Sequence, residues 1–400
     1  MPNELFSSIK NAPSDPILGL TERFKKDNNP KKVNLGVGVY YDRNGKVPLL
    51  ESVRVAENSI IKSNLARPYL PIDGQANYCE SLRKLIFGKN CENIEFDRVS
   101  TFQTLGGTGA LRLGADFLRN LPPDRSVWIS DPSWENHRGI FERAGFKVDQ
   151  YPYLDTEKHG INFSAMMSAL KQSSKGSIIV LHACCHNPTG VDLTPNQWDQ
   201  VVDLCVANDL CPFLDMAYQG FNKSLNDDAL AIHKFARSGI SFLVASSFSK
   251  SFALYGERVG GLSVVTGNRK EQIAVTSQMK RIARTTYSNP PTHGSRLVET
   301  VLTSKELYDL WLAELTEMRN RIKDMRVELV NEIYLLNKEA NFNHIAQQTG
   351  MFSYTGLTQE QVIEMREKFS IYAVETGRIC IAALNSKNIK NVAKSIAEVI

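Results

Sequence analysis

The sequence lacks the features that mark several special classes of protein. Its charges nearly balance, with 47 Lys and Arg against 43 Asp and Glu, and no block of like charge exceeds a pair. We therefore expect no nucleic-acid partner. The seven cysteines are odd in number and form no Cys-x-x-Cys pair, which argues against a disulfide framework and a zinc ribbon. No apolar run approaches the roughly 18 residues of a membrane span, so we expect no membrane partner.

The N-terminal residues lack the pattern of a targeting signal. They carry Glu4 and Asp15, have no arginine before Arg23 and contain no continuous apolar core, so neither a secretory signal nor a mitochondrial presequence is expected. Cysteines without a disulfide pattern are typical of a reducing compartment, and we expect a cytoplasmic location. No internal repeat is visible, which disfavours a solenoid.

The composition is that of an ordinary globular protein, with 42% hydrophobic and 22% charged residues in a chain of 400, which is long enough for two domains. Short apolar runs alternate with helical patterns and occupy residues 126–130, 177–182, 211–215, 242–245 and 261–265. Continuous apolar runs are typical of strands covered on both faces. They predict an α/β fold with a mostly parallel central sheet flanked by helices. After Pro290 and Pro291, a long polar helix and two further strand-like runs predict a second, smaller α+β domain.

Lys250 is the most informative single residue. It lies in the segment SSFSKS (246–251), directly after the predicted strand 242–245, and so at the carboxyl end of a strand, where open α/β sheets bind ligands. Most lysines are solvated surface residues. A lysine in a low-polarity site near another cation, here Arg258, has a lowered pKa and can attack a carbonyl as the neutral amine.

Other residues near Lys250 in the predicted fold indicate a cofactor site. Asp215 also follows a predicted strand, and a buried carboxylate needs a cationic partner, such as the protonated nitrogen of a pyridine ring. The hydroxyls beside Lys250 and the guanidinium of Arg258 can bind a phosphate. A reactive lysine, a phosphate site and an acid for a ring nitrogen together indicate pyridoxal 5'-phosphate as the cofactor.

A glycine-rich turn (105–114) opens a predicted helix. Backbone amides at a helix start bind phosphate, and glycines let the phosphate come close. The turn lacks the Gly-Lys-Ser/Thr of a P-loop and the third glycine of a dinucleotide fingerprint, so nucleotide binding explains it less well. A plain turn before a helix is the alternative.

Trp134 and Asn187 lie in loops that follow predicted strands. The indole of Trp134 can stack on a flat heterocycle, although core or interface packing is the commoner role of a tryptophan. His182 and His186 stand at i and i+4, but the segment is extended and turns at Pro188, so we predict no metal site. Asn187 can donate a hydrogen bond to a phenolate oxygen, and Tyr218 can bond to the same oxygen.

Arg284 and Arg378 each offer a planar guanidinium that can bind one carboxylate. An amino acid with a second carboxylate needs two such groups. Taken singly, either arginine is better explained by a surface salt bridge, and only the other residues of the site favour the binding role.

With these residues assembled, the chain resembles the fold-type I aminotransferases that depend on pyridoxal phosphate, and among them the aspartate aminotransferases. The motifs that carry the resemblance are NLGVGVY (34–40), YLPI (69–72), GGTGALR (106–112), WENH (134–137), HNPTG (186–190), YQGF (218–221), SFSK (247–250), YGERVG (255–260), SNPP (288–291) and GMFS (350–353). The resemblance implies a homodimer that transfers the amino group of aspartate to 2-oxoglutarate. An aromatic amino acid aminotransferase is the alternative, and a catalytically silent protein of the same fold is a further one.

The resemblance also implies how the cofactor is held. Lys250 would carry the covalent link to pyridoxal phosphate and would move the proton, and Asp215 would pair with the ring nitrogen. Asn187 and Tyr218 would contact the phenolate oxygen, and Trp134 would stack on the ring. The phosphate would be held by Gly107, Thr108, Ser247, Arg258 and the partner subunit's Tyr69.

For the substrate, the resemblance implies that Arg378 binds the α-carboxylate and that the partner subunit's Arg284 binds the distal carboxylate. Gly38, Trp134 and Asn187 would line the rest of the substrate pocket. The implied domains are an N-terminal arm (1–14), a small domain (15–47 with 318–400) and a large cofactor-binding domain (48–317).

Overall fold

The computed structural model describes residues 6–11, 16–88, 96–122 and 125–400. The strands are β1 (Val33–Asn34), β2 (Val99–Leu105), β3 (Val127–Asp131), β4 (Val148–Pro152), β5 (Leu154–Asp155), β6 (Gly160–Ile161), β7 (Ile178–His182), β8 (Cys211–Met216), β9 (Phe242–Ser247), β10 (Val259–Val265), β11 (Phe352–Tyr354), β12 (Ile371–Tyr372) and β13 (Arg378–Cys380).

The helices are α1 (Pro16–Lys26), α2 (Glu51–Lys62), α3 (Ala76–Phe87), α4 (Gly106–Arg119), α5 (Glu135–Arg143), α6 (Phe163–Lys171), α7 (Pro195–Ala207), α8 (Leu225–Asp228), α9 (Leu230–Ser238), α10 (Arg269–Thr286), α11 (His293–Thr303), α12 (Lys305–Leu336), α13 (Asn343–Gln347), α14 (Gln359–Phe369) and α15 (Ile389–Val399).

A seven-stranded sheet forms the centre, in the order β2-β10-β9-β8-β7-β3-β4. The pairs β9–β8, β8–β7, β7–β3 and β3–β4 are parallel, whereas β10 runs antiparallel to both of its neighbours. The carboxyl ends of β3, β7, β8 and β9 therefore meet at one edge, and the loops that follow these strands begin there.

The central strands are buried on both faces, as their continuous apolar runs predict. All residues of β7 and of β10 are buried. Alternate residues contribute to two separate apolar clusters, since Val180 and Phe213 belong to one cluster and Leu181 and Leu214 to the other. Helices cover both faces, and the predicted mostly parallel sheet flanked by helices is thus observed.

Local sequence signals fix where several helices begin. The side chain of Thr194 accepts a hydrogen bond from the backbone N–H of Gln197 at the start of α7, and the side chain of Gln197 accepts one from the backbone N–H of Thr194, which forms a capping box. Thr358 and Gln361 form the same arrangement at the start of α14. These caps satisfy amides that would otherwise lack a partner in the first helical turn.

The C-terminal part is a smaller unit of helices and short strands. β1 pairs with β12 in parallel, β11 pairs with β13 antiparallel, and α12 packs against α15. Two buried arginines of α12 bind this unit together: Arg321 donates to Tyr40 Oη at 2.9 Å and to Leu384 O at 2.8 Å, and Arg326 donates to Gly350 O at 2.7 Å. This placement positions β13, and with it Arg378, over the edge of the central sheet.

The division into an arm and two domains at the stated boundaries stays a prediction, and residues 1–5 and 12–14 of the arm lie outside the described residues. Within the described ranges, no helix combines the length and the apolar character that crossing a membrane requires.

Candidate active site

A cavity of about 240 Å³ lies at the carboxyl edge of the central sheet. It is lined by Gly38, Gly107, Thr108, Leu111, Trp134, His182, Asn187, Asp215, Ala217, Tyr218, Ser247, Ser249, Lys250, Arg258, Phe352 and Arg378. Of the site residues predicted from the sequence, only Tyr69 and Arg284 do not line it. The topology explains the convergence, because the loops after β2, β3, β7, β8 and β9 all open at this edge.

Lys250 lies three residues beyond the end of β9, and its amine faces the cavity. The Nζ atom is 5.6 Å from the centroid of the Tyr218 ring. Burial lowers the pKa of Lys250, the carboxylate of Asp215 opposes this shift, and the cation of Arg258 adds to it. A lowered pKa increases the neutral fraction of the amine, which is the form that attacks a carbonyl.

Asp215 is buried, with 6% of its surface exposed, and is paired with a histidine. His137 Nε2 lies 3.0 Å from Asp215 Oδ2, and His137 Nδ1 lies 2.9 Å from Ser133 Oγ. Burial raises the pKa of Asp215, but the hydrogen bond from His137 and nearby cations bring the pKa below its ordinary value. Because a carboxylate only accepts hydrogen bonds, His137 Nε2 is the donor in its bond with Asp215.

His182 adds a second imidazole beside this pair. It is the last residue of β7, and its register partner on β8 is Asp215. The ring centroids of His137 and His182 are 5.0 Å apart, and burial lowers the pKa of His182 to about 3. His182 is therefore neutral at neutral pH.

The segment between β2 and α4 forms one wall together with Arg258. Gly106 has φ +68°, and a Cβ atom there would lie 2.5 Å from Arg258 Nη2, so this turn requires glycine. Arg258 Nη1 donates to Tyr255 O at 2.9 Å and to Ser249 Oγ at 3.4 Å. The start of α4, a cation and the Ser247 hydroxyl thus face the same space, which is an arrangement that binds an anion.

Arg378 is 1% exposed and lies at the other side of the cavity. It donates to Asn187 Oδ1 at 3.1 Å and to Gly36 O at 2.7 Å, and its guanidinium lies 4.5 Å from the centroid of the Phe352 ring. Its Nε is buried and has no hydrogen-bond partner among the described residues. A buried donor without a partner costs free energy, so this position favours an incoming acceptor.

Gly38 faces Phe352 across this part of the cavity. A Cβ atom at residue 38 would lie 2.5 Å from Phe352 Cζ, so only glycine leaves room for the ring. Phe352 in turn contacts Tyr218 edge to face, with 6.2 Å between the ring centroids. Because Phe352 also contacts the guanidinium of Arg378, the space at Gly38 helps to fix the position of Arg378.

Two predicted site residues lie on the surface of this single chain. Tyr69 is 90% exposed, and Arg284 lies exposed in the last turn of α10. The resemblance assigns both residues to the site of a partner subunit, and that assignment stays a prediction.

Sequence reasoning assigned no role to several residues that belong to the site. His182 and Phe352 line the cavity, His137 contacts Asp215, and Glu135 lies 3.6 Å from Arg378. The position of His137 could have been inferred from the sequence, because it lies one helical turn after Trp134, which is itself a predicted site residue. The contacts of Phe352 with Gly38 and Arg378 join distant parts of the chain and have no such signal.

Comparison with known proteins decides the family. The sequence model described as Aminotransferase class I and II matches residues 30–396. The chain is a class I and II aminotransferase. The aminotransferase is 53% identical over 396 residues to the aspartate aminotransferase of Pseudomonas aeruginosa, which covers 99% of this chain and 100% of that protein. It is 46% identical to the aromatic-amino-acid aminotransferase of Escherichia coli, over the same shares of the two chains.

Solved structures agree with this assignment. The aromatic-amino-acid aminotransferase from Burkholderia pseudomallei, covalently bound to pyridoxal phosphate, is 55% identical with a TM-score of 0.96 and 99% coverage of both chains. The cytoplasmic aspartate aminotransferase of Saccharomyces cerevisiae is 39% identical with a TM-score of 0.96, over 99% of this aminotransferase and 98% of that chain. The predicted family and the predicted pyridoxal-phosphate transferase fold of type I are confirmed.

Proposed function

We propose that this aminotransferase moves the amino group of L-aspartate to 2-oxoglutarate and produces oxaloacetate and L-glutamate, with pyridoxal 5'-phosphate as cofactor. The observation that carries the proposal is that one cavity brings together the amine of Lys250, the carboxylate of Asp215 and the guanidinium of Arg378. The 53% identical relative from Pseudomonas aeruginosa is named an aspartate aminotransferase. We place the enzyme in the cytoplasm, since its cysteines follow no disulfide pattern.

The residues of the cavity fit pyridoxal phosphate. The anion site formed by Gly107, Thr108, Ser247 and Arg258 suits its phosphate, and the buried Asp215 suits its protonated ring nitrogen. A Cβ at Gly107 would lie 3.1 Å from Ser247 Cβ, so glycine keeps this end open. When bound, the cofactor supplies a reactive aldehyde and an electron-withdrawing ring.

Lys250 then has two tasks, as nucleophile and as proton carrier. Its lowered pKa makes the neutral amine available for bonding to the aldehyde. With an amino acid bound, the free amine of Lys250 would serve as the general base and acid that accepts a proton from the substrate α-carbon and gives it back. Lys250 extends from the loop after β9 and lies beside Tyr218. A long side chain in this position suits a group that must reach both the cofactor and the substrate.

Asp215 contributes a fixed negative charge. The hydrogen bond from His137 keeps the carboxylate ionised in spite of its burial, because it favours the charged form. An ionised Asp215 would favour the protonated form of the ring nitrogen of a bound cofactor. Asn187 uses its amide oxygen for Arg378, which leaves its amide nitrogen as the donor for the phenolate oxygen. The pKa of Tyr218 is raised by burial, so its hydroxyl stays protonated and can donate there too.

Carboxylate recognition is divided between two arginines. Arg378 has a buried donor without a partner and is the group that we assign to the α-carboxylate. Arg284 lies outside the cavity, and we assign it to the distal carboxylate bound in a partner subunit. Tyr69 would likewise reach the partner's phosphate site. The proposal therefore includes a homodimer in which each subunit completes the other's site.

An aromatic amino acid aminotransferase is the second candidate, because the 46% identical relative from Escherichia coli and the 55% identical structure from Burkholderia pseudomallei carry that name. Steady-state kcat/KM for aspartate and for phenylalanine, with 2-oxoglutarate as acceptor, separates the two. We expect a higher kcat/KM for aspartate. A higher value for phenylalanine would establish the second candidate, and no turnover of either amino acid would refute both.

A further inference from the structure

Glu135 lies beside the arginine that we assign to the substrate α-carboxylate. Glu135 Oε2 is 3.6 Å from Arg378 Nη1, and the two side chains are 34% and 1% exposed. Glu135 is the first residue of α5 and directly follows Trp134, which lines the cavity. Its carboxylate thus reaches the buried guanidinium from the solvent side.

The other contacts of Arg378 cannot cancel its charge. Asn187 Oδ1 and Gly36 O are neutral acceptors, and Phe352 offers only the face of its ring. Among the described residues, Glu135 supplies the carboxylate that forms an ion pair with Arg378. A buried cation without a counter-charge is costly, so this ion pair stabilises Arg378 in the free enzyme.

We propose that Glu135 is the resident counter-ion of Arg378 and that it competes with the α-carboxylate of every substrate. This inference rests on the proposed function. An incoming carboxylate places a second negative charge on a guanidinium that already faces Glu135. Either the two charges repel each other, or the partly exposed Glu135 turns away into water and loses its ion pair. Both outcomes weaken binding of the substrate in its ground state.

Glu135 therefore stabilises the free enzyme and weakens its binding of substrate. Glu135 keeps Arg378 charge-balanced while the cavity holds no substrate, and the cost falls on KM. Because every amino acid and oxo acid carries the α-carboxylate, Glu135 affects all substrates by a similar factor. Arg284 differs, since a distal-carboxylate site affects only dicarboxylic substrates. An effect of Glu135 at Arg378 can therefore be told apart from an effect at the distal carboxylate.

The test is Glu135→Gln in the enzyme loaded with pyridoxal phosphate. We expect KM for aspartate, phenylalanine and 2-oxoglutarate to fall about two- to five-fold, which is the range of a partly exposed ion pair, with kcat changed less than about two-fold. Glu142→Gln is the matched control, because Glu142 lies on the same helix and pairs with the partly exposed Arg138 at 3.1 Å. The control changes the net charge equally and should leave each KM unchanged.

Binding of succinate and of 3-phenylpropionate, measured by calorimetry, separates this inference from the proposed function. Tighter binding of both acids by Glu135→Gln supports the inference, even if the enzyme turns over none of the amino acids tested. It is overturned if both acids bind equally well to the wild type and the variant, or if neither acid binds either protein. A fall in KM for the dicarboxylates alone would also overturn it, because the effect would then lie at the distal carboxylate.

Discussion

Gly38→Ala perturbs the site through a contact that the structure defines closely. The new methyl group would lie 2.5 Å from Cζ, 3.3 Å from Cε1 and 3.5 Å from Cε2 of Phe352. Contacts below 3.0 Å do not occur between real Cβ atoms and their neighbours, so the ring must shift. Phe352 is 4% exposed and has little free space, and overpacking of this kind costs about 1 to 3 kcal/mol.

The shift reaches Arg378, whose guanidinium lies 4.5 Å from the centroid of the Phe352 ring. Loss of a cation–π contact of this kind costs about 0.5 to 2 kcal/mol. If that cost falls on substrate binding, KM for aspartate rises roughly 2- to 30-fold. We expect kcat to change less, because neither Lys250 nor Asp215 contacts the new methyl group.

The measurement is a pair of steady-state curves for aspartate, together with denaturant unfolding to obtain the free energy of unfolding. Gly139→Ala is the control, because a Cβ at this exposed helical position would meet only Asn136 Oδ1, at 3.9 Å. That variant should keep the wild-type KM and gain about 0.5 to 1 kcal/mol in stability. An unchanged KM and unchanged stability in Gly38→Ala would refute the reasoning that residue 38 must be glycine to make room for Phe352.

Two other perturbations are also expected to have defined outcomes. Arg284→Asp should lower kcat/KM for aspartate by about 100-fold or more and leave phenylalanine nearly unaffected. In the proposed dimer the partner subunit would bury the ion pair between Arg284 and the distal carboxylate, and a buried pair that loses one member costs about 3 to 5 kcal/mol. Unchanged aspartate turnover would refute the assignment. Burial raises the pKa of Asp228 from 3.8 to about 6, so the folded state holds its proton more tightly and this residue makes stability fall as pH rises between those values. Asp228→Asn should flatten that part of the stability profile in urea titrations, and an identical slope in variant and wild type would contradict the raised pKa.

The sequence predicted the centre of the fold well. Strands β7, β8, β9 and β10 are continuous apolar runs, and each was expected within two residues of its observed bounds. β2 and β4 were not predicted from such runs. In β2, VSTFQTL, polar residues interrupt the apolar pattern, and β4, VDQYP, lies at the sheet edge with only Val148 and Tyr151 buried. Central strands are buried on both faces and have continuous apolar runs, whereas edge strands are partly exposed and their apolar residues are interrupted by polar ones. A search for continuous apolar runs therefore misses the edge strands.

The sequence predicts those site residues whose side chain is chemically distinctive and that lie at the end of a predicted strand. Lys250, Asp215 and Asn187 follow apolar runs, and parallel topology brings strand ends together. The pairing of His137 with Asp215 and of Glu135 with Arg378 depends on tertiary distances of 3.0 Å and 3.6 Å. Residues 135 and 378 are far apart in the chain, so no spacing rule relates them.

Borohydride reduction of the protein incubated with pyridoxal phosphate, followed by mass mapping of its peptides, decides whether Lys250 forms the covalent link. We predict that the peptide containing SSFSK (246–250) gains the mass of one pyridoxyl phosphate group. The same peptide of Lys250→Ala should gain none, and the visible absorbance band should be lost in that variant. A label on another lysine, or no label in the wild-type protein, would contradict the proposed function at its first chemical step.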